Sequence, residues 1–223
     1  MTVSTPFAAV LWDFGGVILS SPFEAFNRFE IEHGIPLDTI RRLNATDPDT
    51  NAWARFERSE ISAAEFDTLF AVEAEAAGHR IRGYEVLALL RGDIRPEMVR
   101  ALDLVRSAGY KTACLTNNVH DPAAGSLAEA APSAPQRERD LAEIMARFDA
   151  VVESSKVGVR KPEPAFYEIA CDLLQVAPVS CVFLDDLGVN LKPAAAMGMT
   201  TIKVHSADQA LTDLEGILGL TLR

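Results

Sequence analysis

Four groups of polar residues suited to phosphate chemistry follow short hydrophobic runs in this 223-residue chain. They provide, in order, a carboxylate, a hydroxyl with neighbouring amides, a lysine and a carboxylate pair. The residues are Asp13, Thr116 with Asn117 and Asn118, Lys161, and Asp185 with Asp186. Phosphoryl transfer requires an attacking oxygen, ligands for phosphate oxygens, a cation and a metal. The order therefore predicts a phosphotransfer site assembled from four separate places in the chain.

Each group alone also has an ordinary structural interpretation. An aspartate or asparagine often stabilises a turn, a lone lysine is usually solvated, and an aspartate can cap a helix. The pair Asp185 and Asp186 is the most informative group, because adjacent carboxylates at the end of an apolar strand repel each other unless a cation compensates them. Oxygen ligands of this kind suit Mg²⁺. The joint pattern favours a reactive site over four unrelated turns.

The hydrophobic runs before these groups predict the strands of a parallel sheet. Short apolar segments alternate with helical patterns, which indicates right-handed βαβ units and an α/β fold. The predicted strands are Ala8–Trp12, Lys111–Leu115, Ala150–Glu153, Cys181–Leu184 and Thr201–Val204. Ligands bind at the carboxyl ends of the strands in open α/β sheets, so we expect the four polar groups to meet at that edge.

The long stretch between the first two predicted strands has no convincing strand and is interpreted as a small helical insert. Phe23, Phe26 and Phe29 recur at helical spacing, and Ser62 with Glu65 forms a capping box before another amphipathic segment. An insert at this point of the chain is expected to lie over the carboxyl ends of the strands, where it can close the site.

Composition limits the partners and the compartment. Acidic residues number 32 and basic residues 21, and this balance argues against binding nucleic acid or an anionic membrane. Cys114, Cys171 and Cys181 lie in apolar runs and are expected to be buried thiols in a reducing compartment. Met1–Phe7 lacks the pattern of a signal peptide, and no apolar run approaches the ~18 residues of a membrane helix. We expect a cytoplasmic protein with a small phosphorylated substrate.

The order of these motifs resembles the haloacid dehalogenase-like hydrolase superfamily over nearly the whole chain. Within it, Phe183–Ala194 is very similar to the phosphatase domain of soluble epoxide hydrolases. Trp53–Ile61 resembles the hydrolase-like domain that is fused to an acyl-CoA dehydrogenase. The resemblance implies a Rossmann-like parallel sheet flanked by helices, formed by residues 1–18 and 94–223. It also implies a small helical cap, residues 19–93, inserted after the first strand.

The resemblance further implies a magnesium-dependent phosphohydrolase that forms an aspartyl-phosphate on Asp13, with Asp13 and Lys161 as its catalytic residues. The implied Mg²⁺ ligands are Asp13, the backbone carbonyl of Gly15 and Asp186, with Asp185 and Asn190 in support. The implied ligands of the transferring phosphoryl group are Thr116, Asn117 and Lys161.

Gly15 departs from the superfamily pattern. In the phosphatases that this chain resembles, an aspartate at this position protonates the leaving group and later activates water. General acid–base assistance is typically worth about 10² to 10⁴ in rate. Three outcomes stay open: a slow phosphatase, a phosphatase for leaving groups that depart easily, or a weak or inactive domain that binds phosphorylated ligands or a protein partner.

A metal-independent 2-haloacid dehalogenase is a further alternative, because the dehalogenases of the superfamily also lack the second aspartate. Their fourth motif has no pair like Asp185 and Asp186, so the pair favours the phosphatases. Two other residues have open roles. His120 is either a replacement proton donor or an exposed loop histidine, and Trp53 either faces the site or packs within the insert.

Overall fold

Five parallel strands form the centre of the molecule. The computed structural model describes residues 7–90, 92–118 and 134–223. The strands are β1 (Ala9–Trp12), β2 (Lys111–Thr116), β3 (Ala150–Glu153), β4 (Cys181–Asp185) and β5 (Thr200–Lys203), in the sheet order β3-β2-β1-β4-β5. Every neighbouring pair is parallel. The five predicted strands are confirmed to within one residue at each end, and β1 is the central strand.

Helices surround the sheet and fill the connection between β1 and β2. That connection contains α1 (Pro22–Glu32), α2 (Thr39–Ala45), α3 (Ala52–Glu57), α4 (Ala63–Ala76) and α5 (Gly83–Ala88). The other helices are α6 (Pro96–Ser107), α7 (Ala134–Met145), α8 (Ser154–Val157), α9 (Pro164–Leu174), α10 (Gly188–Ala196) and α11 (Ala207–Leu218). His120 and nearly all of the segment Pro122–Pro135, which the sequence predicts to be a loop, lie outside the described residues.

Apolar side chains cover both faces of the sheet, which explains why its strands are continuous hydrophobic runs rather than alternating ones. On β1, Val10 and Trp12 belong to the cluster that contains α6 and α11. Ala9 and Leu11 belong to the opposite cluster, which contains residues of α9 and α10. Successive side chains of a strand point to opposite faces, so β1 lies buried between two helical layers. The predicted α/β class is therefore confirmed.

The helices α1–α5, called the helical insert below, have an apolar cluster of their own. Phe26, Phe56, Phe66 and Phe70 are buried in it, and the rings of Phe56 and Phe66 stack with their centres 4.8 Å apart. The predicted capping box is present at the start of α4, where Ser62 and Glu65 bond each other's backbone N–H groups. The cluster supports the division of the chain into a core and a cap at residues 19–93, which stays a prediction.

The two chain segments that lead into and out of the helical insert run antiparallel, side by side. Leu19 and Ile94 form an isolated antiparallel bridge, and the N–H of Ser20 donates to the carbonyl of Asp93 at 2.8 Å. A Cβ atom at Gly92 would lie 2.4 Å from the carbonyl oxygen of Ser20, so this close crossing requires glycine. The insert is therefore joined to the sheet through one narrow connection.

Among the residues that the structure describes, no helix is both long enough and apolar enough to span a bilayer.

Truncating a buried leucine of α6 should destabilise the protein far more than truncating an exposed one on the same helix. Leu102 is fully buried against the sheet, whereas Leu104 is 36% exposed. We expect Leu102→Ala to lower the free energy of unfolding in urea by about 2–5 kcal/mol, because it leaves a cavity. The control Leu104→Ala should stay within about 0.5 kcal/mol of the wild type. Equal losses in both variants would contradict this packing.

Candidate active site

Asp13 lies at the carboxyl end of the central strand. Its N–H donates to the carbonyl of Leu184 at 2.8 Å, which continues the β1–β4 pairing past Trp12. Its Oδ1 accepts a hydrogen bond of 2.7 Å from the N–H of Phe14, where the chain turns sharply. Its side chain is only 10% exposed. A buried strand between two others thus presents one carboxylate at the centre of the sheet edge.

Lys161 is the cation of this centre. It is 1% exposed, and its Nζ lies 2.7 Å from Asp13 Oδ1 and 2.7 Å from Asp185 Oδ2. Burial lowers the pKa of Lys161, but the two carboxylates outweigh that effect and raise it above its usual value. The lysine therefore stays charged and joins the ends of β1 and β4 across the site.

Asn117 holds the backbone of Lys161 in place. The side-chain carbonyl of Asn117 accepts from the N–H of Lys161, and its amide donates to the carbonyl of Lys161, both at 2.9 Å. The structure thus gives Asn117 a positioning contact that the sequence did not predict. An amide has two N–H donors, so one is left for the predicted phosphate contact. Thr116 ends β2 as a buried residue, and none of the described residues hydrogen-bonds to its hydroxyl.

Asp185 has its two oxygens occupied by protein groups. Besides Lys161, it accepts a bond of 2.8 Å from the N–H of Leu187, and the amide of Asn190 lies 3.1 Å from each of its oxygens. The hydroxyl of Tyr167 in turn donates to the carbonyl of Asn190 at 2.7 Å. These contacts hold Asp185 and Asn190 in place, and their predicted roles in support of a metal site stay predictions.

Asp186 is the less constrained member of the pair. Its Oδ2 accepts a hydrogen bond of 3.0 Å from the hydroxyl of Ser21, at the start of α1. Burial, and then the charge of Asp185, raise the pKa of Asp186 above its usual value. Burial also raises the pKa of Asp13 strongly, and Lys161 only partly opposes that rise. Both carboxylates are therefore short of positive charge.

The carboxylates of Asp13, Asp185 and Asp186 each place an oxygen within 4.8 Å of the other two. Three carboxylates thus face one ammonium group, that of Lys161, in a buried place. An excess of negative charge of this kind is costly unless a cation compensates it. Carboxylate oxygens are ligands that Mg²⁺ prefers, so the residues present fit a divalent metal ion.

The two glycines after Phe14 differ in what their positions tolerate. Gly16 has φ +81°, and a Cβ atom there would lie 2.2 Å from Asp186 Oδ2, so the site requires glycine. Gly15 has φ −73° and ψ 127°, an extended conformation that any residue adopts. Among the residues that the structure describes, a Cβ atom at Gly15 would meet nothing within 4 Å beyond its own chain neighbours. An aspartate is thus absent from position 15 although the backbone and the space would accept one.

Other residues considered in the sequence lie elsewhere. Trp53 packs edge-on against Phe66 in the helical insert, with the ring centres 5.8 Å apart. The three cysteines are buried free thiols, as predicted. Ser21 was not predicted to be a site residue, although a serine directly before Pro22 is a helix-start signal that places it beside the site.

This sheet order, with an aspartate just after the central strand, a carboxylate pair at the end of the neighbouring strand β4 and a lysine from the loop before α9, is typical of a hydrolase with a Rossmann-like fold. A family model described as haloacid dehalogenase-like hydrolase matches residues 7–198 of the chain. The chain belongs to this family, as its motifs predicted.

Three relatives align with nearly the whole of this chain. Acyl-CoA dehydrogenase family member 10 of Mus musculus is 33% identical over 97% of this chain and 20% of its own length. Bifunctional epoxide hydrolase 2 of Sus scrofa is 30% identical over 96% of this chain and 39% of its own. The chain therefore spans two fifths or less of these two proteins. Phosphatase MT3486 of Mycobacterium tuberculosis is 30% identical over 91% of this chain and 89% of its own.

Solved structures confirm the fold. A haloacid dehalogenase-family enzyme of Bacteroides thetaiotaomicron, in complex with magnesium and inorganic phosphate, superposes with a TM-score of 0.57. The match covers 90% of this chain and 96% of that one, at 18% sequence identity. At this identity the likeness establishes the fold alone.

We expect Mg²⁺ to stabilise the folded protein through Asp186. A ligand at a hundred times its Kd adds about 2.7 kcal/mol to the free energy of unfolding, which differential scanning fluorimetry detects as a higher Tm. Asp186→Asn should lose this increase, whereas Asp172→Asn, which changes an exposed carboxylate on α9, should keep it.

The raised pKa values of Asp13 and Asp186 mean that protons compete with the metal. The increase should therefore shrink as the pH falls through these raised values. An undiminished increase in Asp186→Asn would contradict the assignment.

Proposed function

We propose that this protein is a magnesium-dependent phosphohydrolase that acts on a small phosphorylated metabolite through an aspartyl-phosphate intermediate. The observation that carries the proposal is the asymmetric environment of Asp13. Its Oδ1 is held by the N–H of Phe14 and by Lys161, both at 2.7 Å. Among the described residues, no hydrogen bond or ion pair involves Oδ2 of Asp13. That oxygen is therefore left to attack phosphorus.

The relatives support this reading. Phosphatase MT3486 is named as a phosphatase, and this chain aligns with 89% of its length. The cytoplasm is part of the same proposal, because three buried thiols that remain unpaired suit a reducing compartment.

In the first step of the proposed reaction, Asp13 Oδ2 forms a bond to phosphorus while the bond from phosphorus to the leaving oxygen breaks. Lys161 keeps one N–H beyond its two carboxylate contacts, and with the Thr116 hydroxyl it can hold phosphoryl oxygens. In the second step, water attacks phosphorus and the bond to Asp13 breaks, which releases phosphate and restores the carboxylate. Bound Mg²⁺, held by Asp13, Asp186 and the carbonyl of Gly15, would compensate the negative charge of the phosphoryl oxygens.

Gly15 determines which substrates this centre can process. Without a carboxyl group at position 15, the leaving oxygen departs as an anion or takes its proton from water. Leaving groups that are stable as anions, such as acyl or aryl oxygens, therefore suit the site better than simple alkoxides. The same absence slows the second step, because no carboxylate at this position activates the attacking water.

Replacing the attacking carboxylate tests the proposal directly. Asp13→Asn should reduce hydrolysis of p-nitrophenyl phosphate in the presence of Mg²⁺ to the background rate, because an amide cannot form the aspartyl-phosphate. The control Asp172→Asn should retain wild-type turnover, and circular dichroism should show both variants folded.

Three results would overturn the proposal. Full activity in Asp13→Asn would mean that another group attacks phosphorus. A wild-type protein inactive with and without Mg²⁺ would favour a domain that only binds phosphorylated ligands or a partner. Chloride release from 2-chloropropionate without metal would instead identify a dehalogenase.

Restoring the missing carboxylate provides a second test. Gly15→Asp should raise turnover of an alkyl phosphate by up to about 10²- to 10⁴-fold, and should raise turnover of an acyl phosphate less. The ordinary backbone and open space at Gly15 predict that this variant folds normally. Gly15→Asn is the matched control, since it fills the same space without a group that transfers protons. Equal gains in both variants would mean that the effect is not acid–base catalysis.

A further inference from the structure

A buried ion pair links the helical insert to the loop that carries Lys161. Arg160 directly precedes Lys161, and its NH2 lies 2.7 Å from Oε2 of Glu57, the last residue of α3. Its NH1 also donates to the carbonyl of Pro48 in the insert at 2.9 Å. Both side chains of the pair are largely buried, with 14% of Arg160 and 7% of Glu57 exposed. One core side chain therefore grips the insert at two points.

A gain in stability alone does not explain the buried pair of Glu57 and Arg160. Buried ion pairs are often no more stable than apolar residues of the same volume, because both charges lose water. The Nε of Arg160 is buried without a hydrogen-bond partner among the described residues, so part of that cost is uncompensated. Burial also raises the pKa of Glu57, and Arg160 is the main group that opposes this rise. Each charge depends on the other, and both depend on the insert being in place.

Neighbouring residues make further contacts across the same boundary. The hydroxyl of Ser59 donates to the carbonyl of Ser155 at 3.2 Å, and NH1 of Arg58 lies 3.8 Å from Oε1 of Glu163. Residues 57–59 of the insert thus contact residues 155–163 of the core. The covalent connection of the insert, at the Leu19–Ile94 bridge, is a separate place in the structure. A body joined by one narrow connection and held elsewhere by polar contacts can open when those contacts break.

The contacts of Arg160 with the insert also affect the geometry of the reactive centre. Asn117 holds the backbone of Lys161 from the core side, while Arg160, one residue earlier, is held by the insert. Release of Arg160 would leave the segment before Lys161 attached on one side only. Small displacements of such a group are costly in rate, because catalysis depends on precise placement.

We propose that Glu57 and Arg160 form a latch that holds the helical insert closed over the Asp13 centre and thereby positions Lys161. Arg160 is then a positioning residue that acts through its neighbour, and Glu57 is the residue of the insert that engages it. The kinetic part of this proposal rests on the proposed phosphohydrolase function, whereas the closure part does not.

Hydrogen–deuterium exchange of the full chain tests the closure part. Glu57→Gln and Arg160→Lys should speed amide exchange by at least about tenfold in peptides that cover residues 46–60 and 154–163, because local opening exposes them. Peptides from β1 and β4 should not change. The matched control is Asp67→Asn, which breaks the ion pair between Asp67 and Arg82 inside the insert and should leave residues 154–163 unaffected. Arg160→Lys keeps the charge, so it remains informative if Glu57→Gln does not fold.

Turnover of p-nitrophenyl phosphate tests the positioning part. Both latch variants should lose about 10- to 100-fold in kcat with little change in KM, and Asp67→Asn should match the wild type. Unchanged exchange in folded latch variants would overturn the latch. Faster exchange with unchanged kcat would overturn the positioning role. An inactive wild type would refute the proposed function, while the exchange experiment would still decide whether the latch exists.

Discussion

The contact of Lys161 with Asp13 and Asp185 is the interaction on which the rest of the site depends. A parallel sheet brings the carboxyl ends of β1 and β4 together, and each end carries buried acidic groups that repel one another. The ammonium group of Lys161, 2.7 Å from the carboxylates of Asp13 and Asp185, offsets this repulsion. Asn117 then holds the backbone of Lys161, while Asn190 and the N–H of Leu187 hold the carboxylate of Asp185.

This compensation is incomplete: among the described residues, no cation pairs with Asp186 or with the second oxygen of Asp13. The oxygens of Asp185 accept hydrogen bonds from protein donors and belong to the scaffold, whereas Asp186 accepts one from the hydroxyl of Ser21. Two adjacent residues of the same type thus have different surroundings, because Asp185 lies among several donors and Asp186 lies beside Ser21 and Gly16. Gly16 permits that arrangement by leaving room for Asp186.

Sequence patterns predicted the sheet well because its strands are apolar on both faces. A short, wholly apolar run such as Ala9–Trp12 has few structural interpretations other than a buried strand. They also predicted which strand ends carry polar groups. They did not predict that Asn117 grips the backbone of Lys161, or that Arg160 pairs with Glu57, because these contacts join residues 44 and 103 positions apart. Such pairings depend on loop paths and side-chain directions, which periodicity does not encode. Nor does the sequence tell whether Gly15 is required by the backbone, which is a question of φ, ψ and free space.

The paired segments at Leu19 and Ile94 have a consequence for how this protein can change over evolutionary time. Since the chain leaves the sheet and returns to it at one bridge, the spacing between those two points does not depend on what lies between them. The five intervening helices have their own apolar cluster and can be lengthened, shortened or exchanged without altering the order of the strands. New specificity can therefore arise by replacing one contiguous segment of the gene, as long as the replacement keeps a partner for Arg160, as Glu57 is, and one for Asp186, as Ser21 is.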